Sequence, residues 1–305
     1  MPNEMNNILT LENDAAVETQ KSKEDLIWHE ITNAYRTRRI LTGMLGGIEK
    51  LEGGATITIV YYKNFRVVIP ITEMMINLVE DEMHNYGELS LRQNKIVNTM
   101  LGCEIDFIIK GLDSKERSIV ASRKDAMLKK RQIFFFDQDS SGSPKVYPDR
   151  VVQARVISVA EKVVRAEIFG VETSIPARDL SFDWLGDARE RFHVGDHILV
   201  RIQEVKAEDP EHISVRADVK SAEGDTSKAN LALCKVQGKY AGTVEDIHNG
   251  TVFVRLQIGV NAIAHTCYDS RTVGKKDDVS FVVTHIDSER NVALGIITRI
   301  IRQNL

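Results

Sequence analysis

The chain has 305 residues, 43% hydrophobic and 28% charged, with 40 basic against 44 acidic side chains and a formal net charge of −4. That length accommodates two or three domains, and no apolar run approaches the roughly 20 residues of a membrane helix. The charge argues against strong non-specific affinity for duplex DNA, which rests on many phosphate contacts. With no charged-then-apolar opening of the secretory kind, a cytoplasmic location is expected.

Residues 1–20 carry Glu4, Glu12, Asp14 and Glu18 and no Lys or Arg, so residues 21–305 are neutral overall. This segment reads as a disordered acidic tail, and a neutral body can still present a local basic face. Next, Ser22 is placed to cap a helix from about Lys23, with Leu26, Ile27, Ile31, Ala34 and Tyr35 at helical spacing through about Leu41 and Gly43 ending it. Strands are expected at 56–62, 65–69, 104–109 and 118–121. Between them, Ile71, Met74, Met75, Leu78 and Val79 mark a short amphipathic helix.

Residues 124–135 mix basic side chains with Met127, Leu128, Ile133 and Phe134 and read as a connecting helix. A Ser, Gly and Pro-rich linker spans 137–148. Strands follow at 151–159, 163–169, 171–175, 198–205 and 213–216. After a second polar linker, 221–232, come strands at 238–247, 251–257, 262–264, 278–286 and 292–297. Five short strands per unit, joined by Gly and polar turns, suit a small Greek-key barrel of OB type. The expected fold is therefore dominated by β structure: three tandem five-stranded barrels with an N-terminal helix and short inserted helices. The first unit, with its helix, takes 21–136, the second 149–220 and the third 233–305, strung as a flexible, beaded chain.

Cys103, Cys234 and Cys267 are odd in number and lack a Cys-x-x-Cys, which argues against both a disulfide framework and a structural zinc, and leaves buried reduced thiols. His193 and His197 are four apart, but Gly195 breaks the helix that metal ligation at that spacing needs. Gly46-Gly47 and Gly53-Gly54 lack the Lys-Ser/Thr of a phosphate loop, and no Gly-x-Ser-x-Gly or metal-binding carboxylate pair occurs. No cofactor, metal or catalytic set is implied, and three barrels leave no stretch for a catalytic domain. A repeated module without catalytic residues points to binding.

Gly242-Thr243-Val244, then Gly250-Thr251-Val252-Phe253-Val254 and Gly259-Val260-Asn261-Ala262-Ile263-Ala264-His265, resemble the OB-fold RNA-binding repeat of the bacterial ribosomal protein S1 family. Val273-Gly274 and Asp287 ahead of Arg290-Asn291-Val292-Ala293-Leu294 continue the match. Trp28, Ala34 and Tyr35, then Leu41-Thr42-Gly43, Glu52-Gly53-Gly54 and Val68-Ile69-Pro70, look like the entry to an early repeat of the same family. The middle unit matches in outline, through Ala154-Arg155-Val156 and Val194-Gly195-Asp196. The likeness is best in the third unit and poorest between 150 and 220. The third departs from strong RNA binders in having His248-Asn249, not an aromatic, before Gly250. Pro70 and Ile71 in the first unit and Pro176 in the second stand near the usual His position.

Single-stranded RNA is held by bases stacked on aromatic rings while Lys and Arg track phosphates. Phe253 and Arg255, two apart on a strand, share a face; the competing reading packs Phe253 inside the barrel under Arg255. The resemblance adds His265, from which the ring can stack or donate to a base. Arg290 is a phosphate candidate, Lys239, Tyr240 and His248 extend the platform, and Asp287 orients the last turn. In the first unit Tyr62, Lys63, Phe65 and Arg66 are a second RNA-binding candidate beside Tyr61, against core and edge packing. The second offers Arg165, Phe169, Arg178 and Trp184, with Trp184 beside Phe182 reading as a plug over the barrel end. Lys129-Lys130-Arg131 reads as a solvated helix end, and Lys275-Lys276, next to Asp277-Asp278, as a solvated turn. The resemblance implies a single-stranded RNA (messenger RNA) partner, with the small ribosomal subunit as a further one and no membrane. The rival class is a protein-interaction adaptor.

Overall fold

The computed structural model describes residues 20–51, 55–76, 86–140, 142–182, 184–223 and 227–304. The expected acidic tail, apart from residue 20, lies outside them, as do Gly53, Gly54, Leu78, Val79 and the side chain of Ser22. Helix α1 (Gln20–Thr37) lays Ile27, Trp28, Ile31, Ala34 and Tyr35 on the first core. It stops about four residues earlier than the spacing suggests, because Arg38 turns left-handed at φ 51° and the Arg39 amide closes back on the Ala34 carbonyl.

The residues expected to end that helix instead open strand β1 (Leu41–Lys50). It is followed by β2 (Thr56–Tyr62), β3 (Phe65–Pro70), β4 (Glu104–Asp113) and β5 (Ser118–Ser122), closed as a barrel in the order β1-β2-β3-β5-β4. Strand β3 runs parallel to β5, and β1 pairs antiparallel with β4, which is the connectivity of an OB barrel. Of the expected 71–79 helix, only a single tight turn at Ile71–Met74 is described, ended by Met75 at φ 52°. An unanticipated helix α2 (Tyr86–Thr99) then buries Val97.

The second unit is β6 (Val151–Ala160), β7 (Val163–Ile168), β8 (Val171–Pro176), β9 (His197–Ala207) and β10 (Ile213–Asp218), in the order β10-β9-β6-β7-β8. Its ends meet without a strand ladder, and the buried Thr173 hydroxyl bridges the seam by donating to the Val215 carbonyl at 2.7 Å. The third is β11 (Lys239–His248), β12 (Thr251–Leu256), β13 (Asn261–Cys267), β14 (Asp278–Asp287) and β15 (Val292–Arg302), again a closed barrel.

One device recurs in all three. The opening strand shifts register against its neighbour at Leu45/Gly47, Val156/Ser158 and Val244/Asp246. A bulge bends the strand so that it can serve two neighbours in a small barrel. Just before the bulge the strands approach so closely that a Cβ at Gly43 would lie 2.8 Å from the Tyr61 carbonyl oxygen, and one at Gly242 2.8 Å from that of Arg255. That contact, not helix termination, accounts for Gly43; the second unit places the small Ala154 there, fully buried.

The first two barrels are not independent beads. Helix α3 (Arg123–Arg131), capped by Ser122, whose hydroxyl accepts from the Asp125 amide at 3.0 Å, runs between them. Fully buried Arg123 donates to the Met74 carbonyl at 2.9 Å, to Glu167 at 3.0 Å and to Glu172 at 2.8 Å. Arg165 also pairs with Glu172, while Lys130 and Arg155 close on Asp106, which accepts from Thr42 at 2.6 Å. Arg131 is 2% exposed and donates to the carbonyls of Gly170, Pro210 and Glu211. The expected solvated helix end is thus wrong for Lys130 and Arg131, whose charges are spent inside the junction. Ile157 and Val194 of the second unit join the first core, and the 137–148 linker folds back with Val146 buried in the second.

Cys103 and Cys234 are buried as expected, and burial pushes the Cys103 thiol up to about 12; Cys267 is only half-buried. No described helix is long and apolar enough to cross a membrane.

Removing one partner of a buried ion cluster strands the others. Arg123→Ala is therefore expected to cost about 3–5 kcal/mol, read as a lower denaturant midpoint. Burial pushes the Asp106 and Glu172 carboxyls up, but Lys130 and Arg155 on one, and Arg123 and Arg165 on the other, leave both below their ordinary values. Folded values below unfolded ones give stability that is complete above the ordinary carboxylate range and is lost as pH falls through the depressed values. Denaturant midpoints should hold down to about pH 5 and drop below about pH 4, less steeply in Asp106→Asn.

Candidate nucleic-acid interface

On the third barrel, Phe253 of β12 lies opposite Ile263 of β13, which lies beside Leu294 of β15. Alternation puts Phe253, Arg255, Ile263 and His265 on one face. His265 is exposed, its Nδ1 3.3 Å from the Thr251 hydroxyl across the strand pair. Arg255 donates to Asn261 at 2.9 Å, and exposed Arg290 edges the same surface. The Asp287 carboxylate accepts from the Glu289 and Arg290 amides at 3.1 and 3.0 Å, the turn-orienting role expected of it. His248 and Lys239 are exposed at the two ends of β11. Tyr240 is tied inward: its ring packs on the third core and its hydroxyl accepts from the Lys235 amide at 2.9 Å.

Phe253 is neither inside its barrel nor bare. The Trp184 ring of the second unit stacks on it, centroids 3.8 Å apart and planes within 10°. The expected plug therefore covers the neighbouring barrel's aromatic, not the end of its own. Two polar ties flank the stack: Asn261 donates to the Phe182 carbonyl at 2.8 Å, and Lys276 pairs with Glu190 at 2.7 Å and Glu245 at 3.1 Å. Its hydrogen bond to Glu190 raises Lys276 above the ordinary lysine value, against partial burial. Lys275 pairs with Asp246 of its own barrel at 2.8 Å, and the Lys276–Glu190 pair across the boundary makes this turn part of the junction and not a free solvated loop. Asp277 is buried, accepting from the amides of Gly274 and Asn304.

Between the two barrels lies a cleft of about 580 Å³, lined in part by Phe182, Trp184, Phe253, Ile263 and Val292, with Lys162, Arg178 and Arg290 as its only charged lining among the described residues. Flat rings beside cations whose carboxylate partners, Glu161, Asp179 and Asp287, are only loosely paired at 3.7 to 3.9 Å suit an unpaired base and its phosphates. Sequence reading missed this pairing: Trp184 and Phe253 are 69 residues apart in different units, and no period links them.

The first-unit candidates are corrected. Tyr62 and Phe65 are each 8% exposed. Tyr62 donates to Glu30 at 2.8 Å and meets Phe107 edge-on, and Phe65 packs on Trp28. Lys63 pairs with Glu30, and Arg66 with Glu49. Their charges are matched and their rings belong to the core, so this hairpin offers no stacking platform; Tyr61 is exposed but lies over Gly46. In the second unit, Phe169 stacks on Phe134 at 3.9 Å and Arg165 is held by Glu172.

Asn261→Ala removes the tie to Phe182. With Trp28→Phe leaving Trp184 as the single tryptophan, its emission is expected to shift red while stability falls by no more than about 1 kcal/mol; an unchanged spectrum would mean the stack holds without the tie.

A family model described as "S1 RNA binding domain" matches residues 145–214. That match falls on the second barrel, the unit whose residues looked least like the family. Small ribosomal subunit protein bS1 of Coxiella burnetii is 21% identical over 287 residues, covering 91% of this chain and 47% of that protein. The bS1 protein of Neisseria meningitidis is 22% identical over 291 residues, covering 91% and 46%. The chain thus spans about half the length of these curated relatives. Among solved structures, a multidomain protein with nucleic acid binding domains from Streptococcus pneumoniae aligns over 85% of this chain and 73% of its own, at 10% identity and a TM-score of 0.20, too low to support an inference. Residues 145–214 thus match the S1 RNA binding domain, and the OB connectivity and repeated bulge of all three barrels, with bS1 likeness along 91% of the chain, are what this protein shares with that family.

Proposed function

We propose that this protein binds single-stranded RNA through the third barrel's Phe253–His265 face and the adjoining cleft. Messenger RNA is the partner in view, held during translation or post-transcriptional regulation at or near the small ribosomal subunit. The carrying observation is one surface with exposed His265, the Trp184–Phe253 rings and the cations Lys162, Arg178 and Arg290, with no carboxylate among the described lining residues. A chain of net charge −4 can attract RNA there because the acidic partners of its other cations are spent elsewhere, at Glu30, Glu49, Asp106 and Glu172. The S1 RNA binding domain match at residues 145–214 and the likeness to bS1 proteins support the same reading.

Fluorescence anisotropy with a labelled single-stranded oligoribonucleotide, at two salt concentrations, tests it. Affinity should weaken with salt and fall about tenfold in Phe253→Ala, with a smaller loss in His265→Ala. Lys63→Ala and Arg66→Ala, whose cations are already matched, should leave it unchanged. Salt-independent binding, or none, would favour the protein-interaction adaptor.

A further inference from the structure

Resting on the RNA reading above, we propose that the cleft between the second and third barrels is a nucleotide site built by both. An unpaired base stacks on the outer face of Trp184, while Arg178, Lys162 and Arg290 hold the flanking phosphates. Phe253 covers one face of the indole at 3.8 Å, yet Trp184 remains 45% exposed, which leaves its other face open. The spacing leaves no gap for a base between the rings, so the stack is a platform and not a sandwich. At about 580 Å³ the cleft lies within the size range of small-molecule sites, roughly 300–1,000 Å³.

The cations are available. Arg178 and Arg290 side chains are 85% and 81% exposed, and their nearest carboxylates, Asp179 and Asp287, stand off at 3.9 and 3.8 Å. Lys162 donates to the Gly186 carbonyl at 2.5 Å and has one exposed carboxylate near it, Glu161 at 3.7 Å, a loose surface pair that a phosphate can displace. Phe253 behind the indole, and the Asn261 tie to the Phe182 carbonyl, hold Trp184 before any ligand arrives. Ordering a ring in advance removes part of the entropy cost of stacking a base on it. Phe253 then acts partly through Trp184, and one nucleotide bridges two barrels.

The test uses the full chain carrying Trp28→Phe, so that Trp184 is its only tryptophan. Unlabelled oligouridylate and oligoadenylate are titrated by emission and labelled forms by anisotropy. Trp184 emission should be quenched with the midpoint seen by anisotropy. Trp184→Ala should weaken binding about tenfold and Trp184→Phe far less, both still unfolding cooperatively, with a modestly lower thermal midpoint in Trp184→Ala. Arg178→Ala should lower the slope of log affinity against log salt by about one. Unquenched Trp184 with full affinity in Trp184→Ala, while Phe253→Ala and His265→Ala still weaken binding, would overturn this site and leave the RNA reading standing. Tighter binding in Trp184→Ala would make the indole a plug over Phe253 and overturn it too. No RNA binding by the parent would remove the RNA reading itself, and this site with it.

Discussion

Arg123 is the constraint on which the arrangement depends. A guanidinium with no solvent contact is tolerable only if its donors meet charge and carbonyl oxygen in good geometry. Here the two terminal nitrogens do so across a barrel boundary, at Met74 on one side and at Glu167 and Glu172 on the other, while the buried Nε has no hydrogen-bond partner. Such a cluster adds little net stability over apolar packing, but it tolerates few alternative arrangements, since a slipped interface would strand a charge. With Lys130, Arg155 and Asp106 beside it, and Ile157 and Val194 in the first core, it sets the second barrel against the first.

The second junction is of another kind. Trp184 and Phe253 stack at the surface, helped by a side-chain amide and a part-exposed lysine. Exposed ion pairs contribute little, and an aromatic pair adds about 0.5–1.5 kcal/mol beyond its buried area. Any movement between barrels would therefore be concentrated at this joint, between the second barrel and the third. The placement of charge follows the same division. Arg123, Lys130 and Arg155 at the first junction are closely paired with carboxylates and largely shielded, whereas Lys162, Arg178 and Arg290 line an open cleft at the second, so a chain with no overall positive charge keeps a local positive surface.

The barrels were legible in the residues. Alternating apolar runs bounded by Gly and polar turns placed nearly every strand, because a small barrel buries one side of each strand and leaves that period in the sequence. Misreadings came where one residue type serves two purposes. Gly43 looked like a helix stop but is a point of close strand approach, and the end of α1 is an arginine in the left-handed region, a role its type does not announce. Helix α2 was missed because much of it is polar, with few apolar positions to set a period.

The sequence by itself determined the module, its repetition and the shared face of Phe253 and Arg255, since these follow from local period and order, while His265 came from the family resemblance. Tertiary structure alone decided which aromatic rings are available. Tyr62 and Phe65 share the composition of an RNA platform but face the first core, and Lys129-Lys130-Arg131 reads as solvated until a second barrel closes on it. It also decided that Trp184 meets Phe253. The physical reason is range: strand alternation acts over a few residues, whereas burial of a charge or stacking of a ring depends on groups brought together from distant parts of the chain.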